Sequence, residues 1–278
     1  MFSEPIISII NYLLAGIYVL SSLIYGKHFF SKSNSETTLR ILSFILVFVI
    51  VLQFLYFLIR GIVYKHAPIT TPFEIMTLLA FCITVTYFII ELKTGVTQTG
   101  FFIISIAAIF QIVSSIFIEE LDKINPVLNS WLLGFHVAFA LAGYSAIVIS
   151  GIYGFLYLKM YNHIKSNKPS NFYKKLPSLF LLEKLAKTSI LFGFAFLTFT
   201  IIIGIIWLPM AIEEFSYTDP KLITTFAVWI VYLLGYISIK IYRTESRTTM
   251  KLALLGLVFA VCSILIVNFL FESFHRFY

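Results

Sequence analysis

Three histidines are the residues in this chain best suited to chemistry: His66 in KHAPITTPFE, His136 in WLLGFHVAFALAGYSA and His275 in FESFHRFY. Neutral imidazole is the commonest protein metal ligand and an axial ligand of haem iron. Two imidazoles above and below a porphyrin, with aromatic side chains along its edge, would make a haem site. Three interfacial histidines bonded to backbone or water would look the same at this level. No H-E-x-x-H or close His/Cys spacing supports zinc. The cysteines, Cys82 and Cys262, lie in apolar runs without a C-x-x-C partner, which argues against thiol–disulfide chemistry and a thiolate metal site.

The aromatic residues that could edge such a ligand fall in GIIWLPMAIEEFSYTDPKLITTFAVW, from Gly204 to Trp229. Trp207, Phe215, Tyr217 and Trp229 accompany the acids Glu213, Glu214 and Asp219. Pro209 and Pro220 lack a backbone donor, so the segment is expected to break between helices and form an irregular aromatic shelf at a membrane surface. An ordinary interfacial belt of Trp and Tyr is the alternative.

The elements that position these residues are spans. The chain is 60% hydrophobic and 12% charged, with a mean hydropathy of +0.96, against about 25% charged residues in soluble domains. A soluble core of this size is excluded. The net charge of +7 lies in loops between apolar runs, so it reflects topology and gives no support for nucleic-acid binding. Apolar runs near 5–25, 41–63, 72–92, 99–118, 131–159, 188–212, 222–242 and 249–271 each reach the ~20 residues a spanning helix needs. The predicted fold is all-α: a polytopic membrane protein of about eight transmembrane helices with an extracytoplasmic aromatic loop. The N-terminus lacks a basic n-region and a cleavage site, so the first span is expected to be retained.

Fifteen of the twenty basic residues fall in alternate loops, which the positive-inside rule assigns to the cytoplasm. Both termini, the 60–71 loop, the 119–130 loop and the shelf are then outside, and His66, His136 and His275 share that face. PSLFLLEKLAKT, after Pro177, is expected to lie on the inner surface ahead of the sixth span. Thr71, Pro72 and Glu74 fit a capping box that starts the third span. No phosphate loop, nucleophile elbow or intramembrane carboxylate chain was found.

Together these segments resemble the cytochrome c assembly family, polytopic haem-handling proteins with an outward tryptophan-rich WWD domain of the system II type. The resemblance is clearest over 60–278, within a single integral membrane domain spanning 1–278. LPSLFLLEKLAKTSILFGFAFLTFTIIIGIIW resembles the family's run into that domain. The G-x-x-W of Gly204 and Trp207, and the D-P-K of Asp219, Pro220 and Lys221 with Trp229 eight residues on, match a degenerate WWD loop at 200–229. HAPITTPFE is similar to the H-x-P-x-S-N-x-Y-E segment and carries over His66 and Glu74. The fifth span carries over His136, and VNFLFESFH carries over His275. The family's central tryptophans fall here on Ile212, Ser216 and Thr218, its Glu after D-P-K on Leu222, and its later intramembrane histidine on Ile237.

The resemblance implies haem b handled at the outer face of a bacterial plasma membrane, with His136 and His275 as axial ligands of the iron. It implies Trp207, Phe215 and Trp229 along the porphyrin, Asp219 and Lys221 orienting the loop or meeting a propionate, and His66 as an accessory ligand or a donor behind one. The expected partners are haem, apocytochrome c, a partner membrane protein and the lipid bilayer, with no nucleic acid. In that setting the chain is one component of a haem lyase (cytochrome c synthetase). The alternative is a regulatory or scaffold paralogue that does not retain haem.

Overall fold

The computed structural model describes residues 3–31, 35–118, 130–166, 172–211 and 216–270, with side chains described from 6 to 263 within those ranges. Eight long helices occur among them: α1 (Ser3–Phe30), α2 (Glu36–Tyr64), α3 (Pro72–Thr94), α4 (Gly100–Phe117), α5 (Trp131–Lys165), α6 (Leu179–Ala211), α7 (Pro220–Lys240) and α8 (Ser246–Leu270). All eight are long and apolar enough to cross a bilayer, and no strand occurs among the described residues. The chain is an integral membrane protein. Its helices cluster into two compact units, residues 1–122 with 170–177, and residues 123–169 with 178–278.

In the first unit, α1–α4 pack around a polar spine. Lipid offers the backbone and buried amides no water, so such groups must pair with one another. Gln53 donates to the Thr77 carbonyl at 2.9 Å and to Gln111 Oε1 at 3.1 Å, and Gln111 donates to Asn11 Oδ1 at 2.9 Å. Further along α3, the Glu91 carboxyl accepts from Tyr25 OH at 2.7 Å and Ser43 Oγ at 2.9 Å. Asn11, Gln53, Glu91 and Gln111 are all buried.

In the second unit α5 packs on α6 and α8, and α7 on α6 and α8. Its core includes Ile147, Ile190, Leu197, Val228 and Tyr232. Tyr232 is clasped by two glycines. A Cβ at Gly256 would come within 2.4 Å of its ring, and one at Gly193 within 2.9 Å. Its hydroxyl meets Ser150 Oγ at 2.6 Å.

Two elements differ from the sequence reading. The stretch expected on the inner surface is the beginning of α6, which runs unbroken for 33 residues from Leu179. No proline or glycine separates Leu179 from Ile190, and Lys187 donates to Glu183 at 2.6 Å along the same helix face. The helix also continues through Pro209 to Ala211. A proline two residues from a helix end removes one bond, and that does not stop the chain earlier. The irregular part of the shelf expected from Gly204 to Trp229 is therefore shorter, since α7 begins at Pro220. Residues 212–215, including Ile212 and Phe215, lie outside the described residues.

Candidate functional site: an imidazole seated on a glycine, and a buried ion pair

His136 lies in the second turn of α5 and is half-buried, with Nδ1 screened from the surface. Its ring rests on α6 at Gly204. A Cβ at that glycine would stand 3.0 Å from His136 Cε1 and 3.4 Å from Nδ1. Gly204 thus makes a cradle that any larger residue would fill. Trp207 follows at i+3 on the same side of α6 and is buried. The G-x-x-W spacing therefore sets a bare backbone patch under an imidazole, with an indole one turn on. An imidazole held this way suits an axial ligand, so the residues present fit one side of a haem iron.

The other expected site residues have separable roles. Asp219 is the N-cap of α7: its Oδ1 accepts from Lys221 N at 2.8 Å and Leu222 N at 3.4 Å, and Pro220 occupies the first helical position. The D-P-K motif is a helix start. The Lys221 side chain is half-buried. Trp229 lies nine residues into α7, about 14 Å along the helix at 1.5 Å per residue. Its Nε1 donates to Thr198 Oγ1 at 2.9 Å, with ring centroids 5.3 Å from Phe226 and 5.9 Å from Phe194. It packs between α6 and α7, whereas Tyr217 is 67% exposed. Ser216 and Thr218, where the family's resemblance places tryptophans, bond to each other at 2.7 Å. His275 and Phe215 lie outside the described residues.

His66 and Glu74 belong to the first unit. The capping box is present: Thr71 Oγ1 accepts from Glu74 N at 3.2 Å, and Glu74 reaches back to Thr71 N. Sequence reasoning missed the second partner of that carboxylate. Arg60 Nε donates to Glu74 Oε1 at 2.7 Å, with both side chains almost fully buried. The signal was available, since Arg60 sits inside an apolar run, where an ionisable residue is paired or functional by default. His66 lies past the end of α2, with its ring 6.0 Å from that of Tyr64.

The family model for cytochrome C assembly protein matches residues 69–275, most of the chain and both units. The chain belongs to the cytochrome c assembly protein family. Among its relatives is protein HemX of Brevibacillus brevis, 28% identical over 267 residues, covering 93% of this chain and 94% of the relative. The cytochrome c biogenesis protein CcsA of Mesostigma viride is 25% identical over 287 residues, covering 94% and 93%. That of Welwitschia mirabilis is 25% identical over 247 residues, covering 79% and 81%. These identities make this chain a divergent member of the family. The matched region contains Gly204, Trp207 and the D-P-K motif together with His136.

Proposed function

We propose that the chain acts in cytochrome c biogenesis by holding haem b at the outer face of the membrane for attachment to apocytochrome c. The cradled imidazole of His136 on Gly204, inside the matched family region, carries this reading. His136 would supply one axial nitrogen and His275 the other. Trp207 would shield the inner edge, and Lys221 would meet a propionate. The haem is cargo, and its own chemistry supplies the vinyl groups. In attachment, each apocytochrome thiol adds S–H across a vinyl double bond, so the sulfur bonds one carbon and the proton goes to the other. What this chain contributes is a held, oriented ring. A partner membrane protein presents the apoprotein, making the pair a haem lyase.

The test is optical. Protein purified from haem-replete membranes is expected to show a Soret band with the split visible bands of six-coordinate haem, and His136→Ala is expected to abolish it, with added imidazole restoring it.

A second reading is favoured by specific observations. Ser216 and Thr218 replace two platform aromatics and bond to each other, and Trp229 is engaged with Thr198. In this reading the chain is a regulatory or scaffold member that keeps the fold without retaining haem. Intact, haem-replete protein that carries no haem would establish it.

A further inference from the structure

Arg247, in the first turn of α8, carries a charge that no described residue pairs. Its guanidinium lies over the Tyr161 ring of α5, with Cζ 5.5 Å from the centroid. The side chain is half-buried, and Nε is screened from the surface without a hydrogen-bond partner. Glu183, on the adjoining end of α6, is engaged elsewhere: it accepts from Lys187 Nζ at 2.6 Å and from Ser246 Oγ. Lys187 also donates to Ser246 Oγ at 3.0 Å, which ties α6 to the start of α8. Glu245, just ahead of the helix, is exposed.

The surroundings hold that guanidinium in place. Arg243 adopts a left-handed conformation, φ 46°, where the chain leaves α7. Thr244 N then donates to the Ser238 carbonyl at 3.0 Å, and Ser238 Oγ meets Thr244 Oγ1 and, at 2.7 Å, Thr249 Oγ1. The start of α8 is thereby fixed against the end of α7. Tyr161 stacks on Tyr157 one turn earlier in α5, with centroids 6.2 Å apart and planes 17° from parallel, which fixes the ring beneath the arginine. Lys251 lies one turn on from Arg247, on the same face of α8, and is exposed. From Lys240 to Lys251 four basic residues stand against one acid, Glu245. A lysine that only sets topology needs no ordered setting. An arginine seated on an aromatic ring has the setting of a recognition group, because its planar fork matches two oxygens of a phosphate. The loop charges assign these helix ends to the cytoplasmic side, whose leaflet is anionic.

We propose that Arg247, seated on Tyr161 and joined by Lys251, forms a phosphate-binding site at the inner end of the second unit, and that its ligand is the headgroup of an anionic phospholipid. A soluble phosphate shares this chemistry, so the experiment separates the two sources. The site is independent of haem and of the histidines described above.

Delipidated full-length protein in neutral detergent is titrated with phosphatidylglycerol, phosphatidylcholine and inorganic phosphate at constant ionic strength. The melting temperature and the bound lipid are recorded. Phosphatidylglycerol is expected to bind saturably and raise the melting temperature, and phosphatidylcholine is not. Arg247→Gln is expected to weaken that binding by about tenfold, since hydrogen bonds between two charged groups are lost. Arg247→Lys returns the charge without the fork and is expected to recover only part of it. Lys251→Gln, an exposed change, is expected to weaken it by roughly fivefold, the worth of one basic residue beside an anionic surface. Arg40→Gln, in the first unit and paired with Glu36 at the surface, is expected to leave it within about twofold. Equal binding of the two lipids, or titrations unchanged in Arg247→Gln, would overturn the proposal. Should Arg247→Gln fail to fold, Tyr161→Leu and Lys251→Gln decide, and titrations unchanged in both overturn it as well. Inorganic phosphate that binds through Arg247 where phosphatidylglycerol does not would overturn the lipid as ligand and keep the phosphate site. The haem spectrum is expected to be the same in every variant.

Discussion

At the scale of single residues, the account turns on what lies against one imidazole and on one buried ion pair. Gly204 is a close-approach glycine: alanine there should favour the α6 helix by about 1 kcal/mol, yet its Cβ would stand 3.0 Å from His136 Cε1. Gly204→Ala is therefore expected to leave thermal unfolding unchanged or raised while weakening haem retention, measured by melting and by Soret titration on one preparation. A parallel loss of both would make Gly204 a packing residue only. Arg60 gives the opposite pattern. Arg60→Ala leaves Glu74 buried without its cation, and breaking a buried pair from one side costs about 3–5 kcal/mol. Arg60→Met with Glu74→Gln is expected to be much milder in the same melting assay. Equal losses would contradict the ion-pair account.

Helices explain why some expected site residues do structural work. Asp219 caps α7 through two backbone donors, so Asp219→Ala is expected to lower stability by about 1 kcal/mol. Trp229 bonds Thr198 from within the α6–α7 packing. Trp229→Phe is expected to lower stability by about 0.6 kcal/mol, the average worth of a hydrogen bond between membrane helices, and to leave the haem spectrum unshifted. A spectral shift would return Trp229 to the porphyrin edge. The capping box at Thr71–Glu74 was legible because its residues are local in sequence. The Arg60–Glu74 pair was not, since it joins two helices across a turn whose path the sequence does not reveal. The continuity of the PSLFLLEKLAKT helix with the sixth span was not legible for a related reason: Glu183, Lys184 and Lys187 lower the hydropathy of a segment that is one helix with the span. Hydropathy finds the lipid-solvated part of a helix and stops short of its polar ends.

Over the whole molecule, eight apolar runs gave eight helices, because lipid leaves the backbone no alternative to internal hydrogen bonding. The basic residues in alternate loops predict both termini outside. A C-terminal alkaline phosphatase fusion, active only outside, is expected to be active, and one placed after Lys165 inactive. The reverse pattern would invert the orientation and put His275 on the wrong face for the proposed site. The two histidines of that site, His136 and His275, come from distant parts of the chain. The most direct measurement is thus the absorption spectrum of purified protein from haem-replete cells, compared between the wild type and His136→Ala/His275→Ala. The account predicts a six-coordinate haem spectrum in the wild type that is lost in the variant. A wild-type protein with no haem, or a variant with an unaltered six-coordinate spectrum, would contradict it.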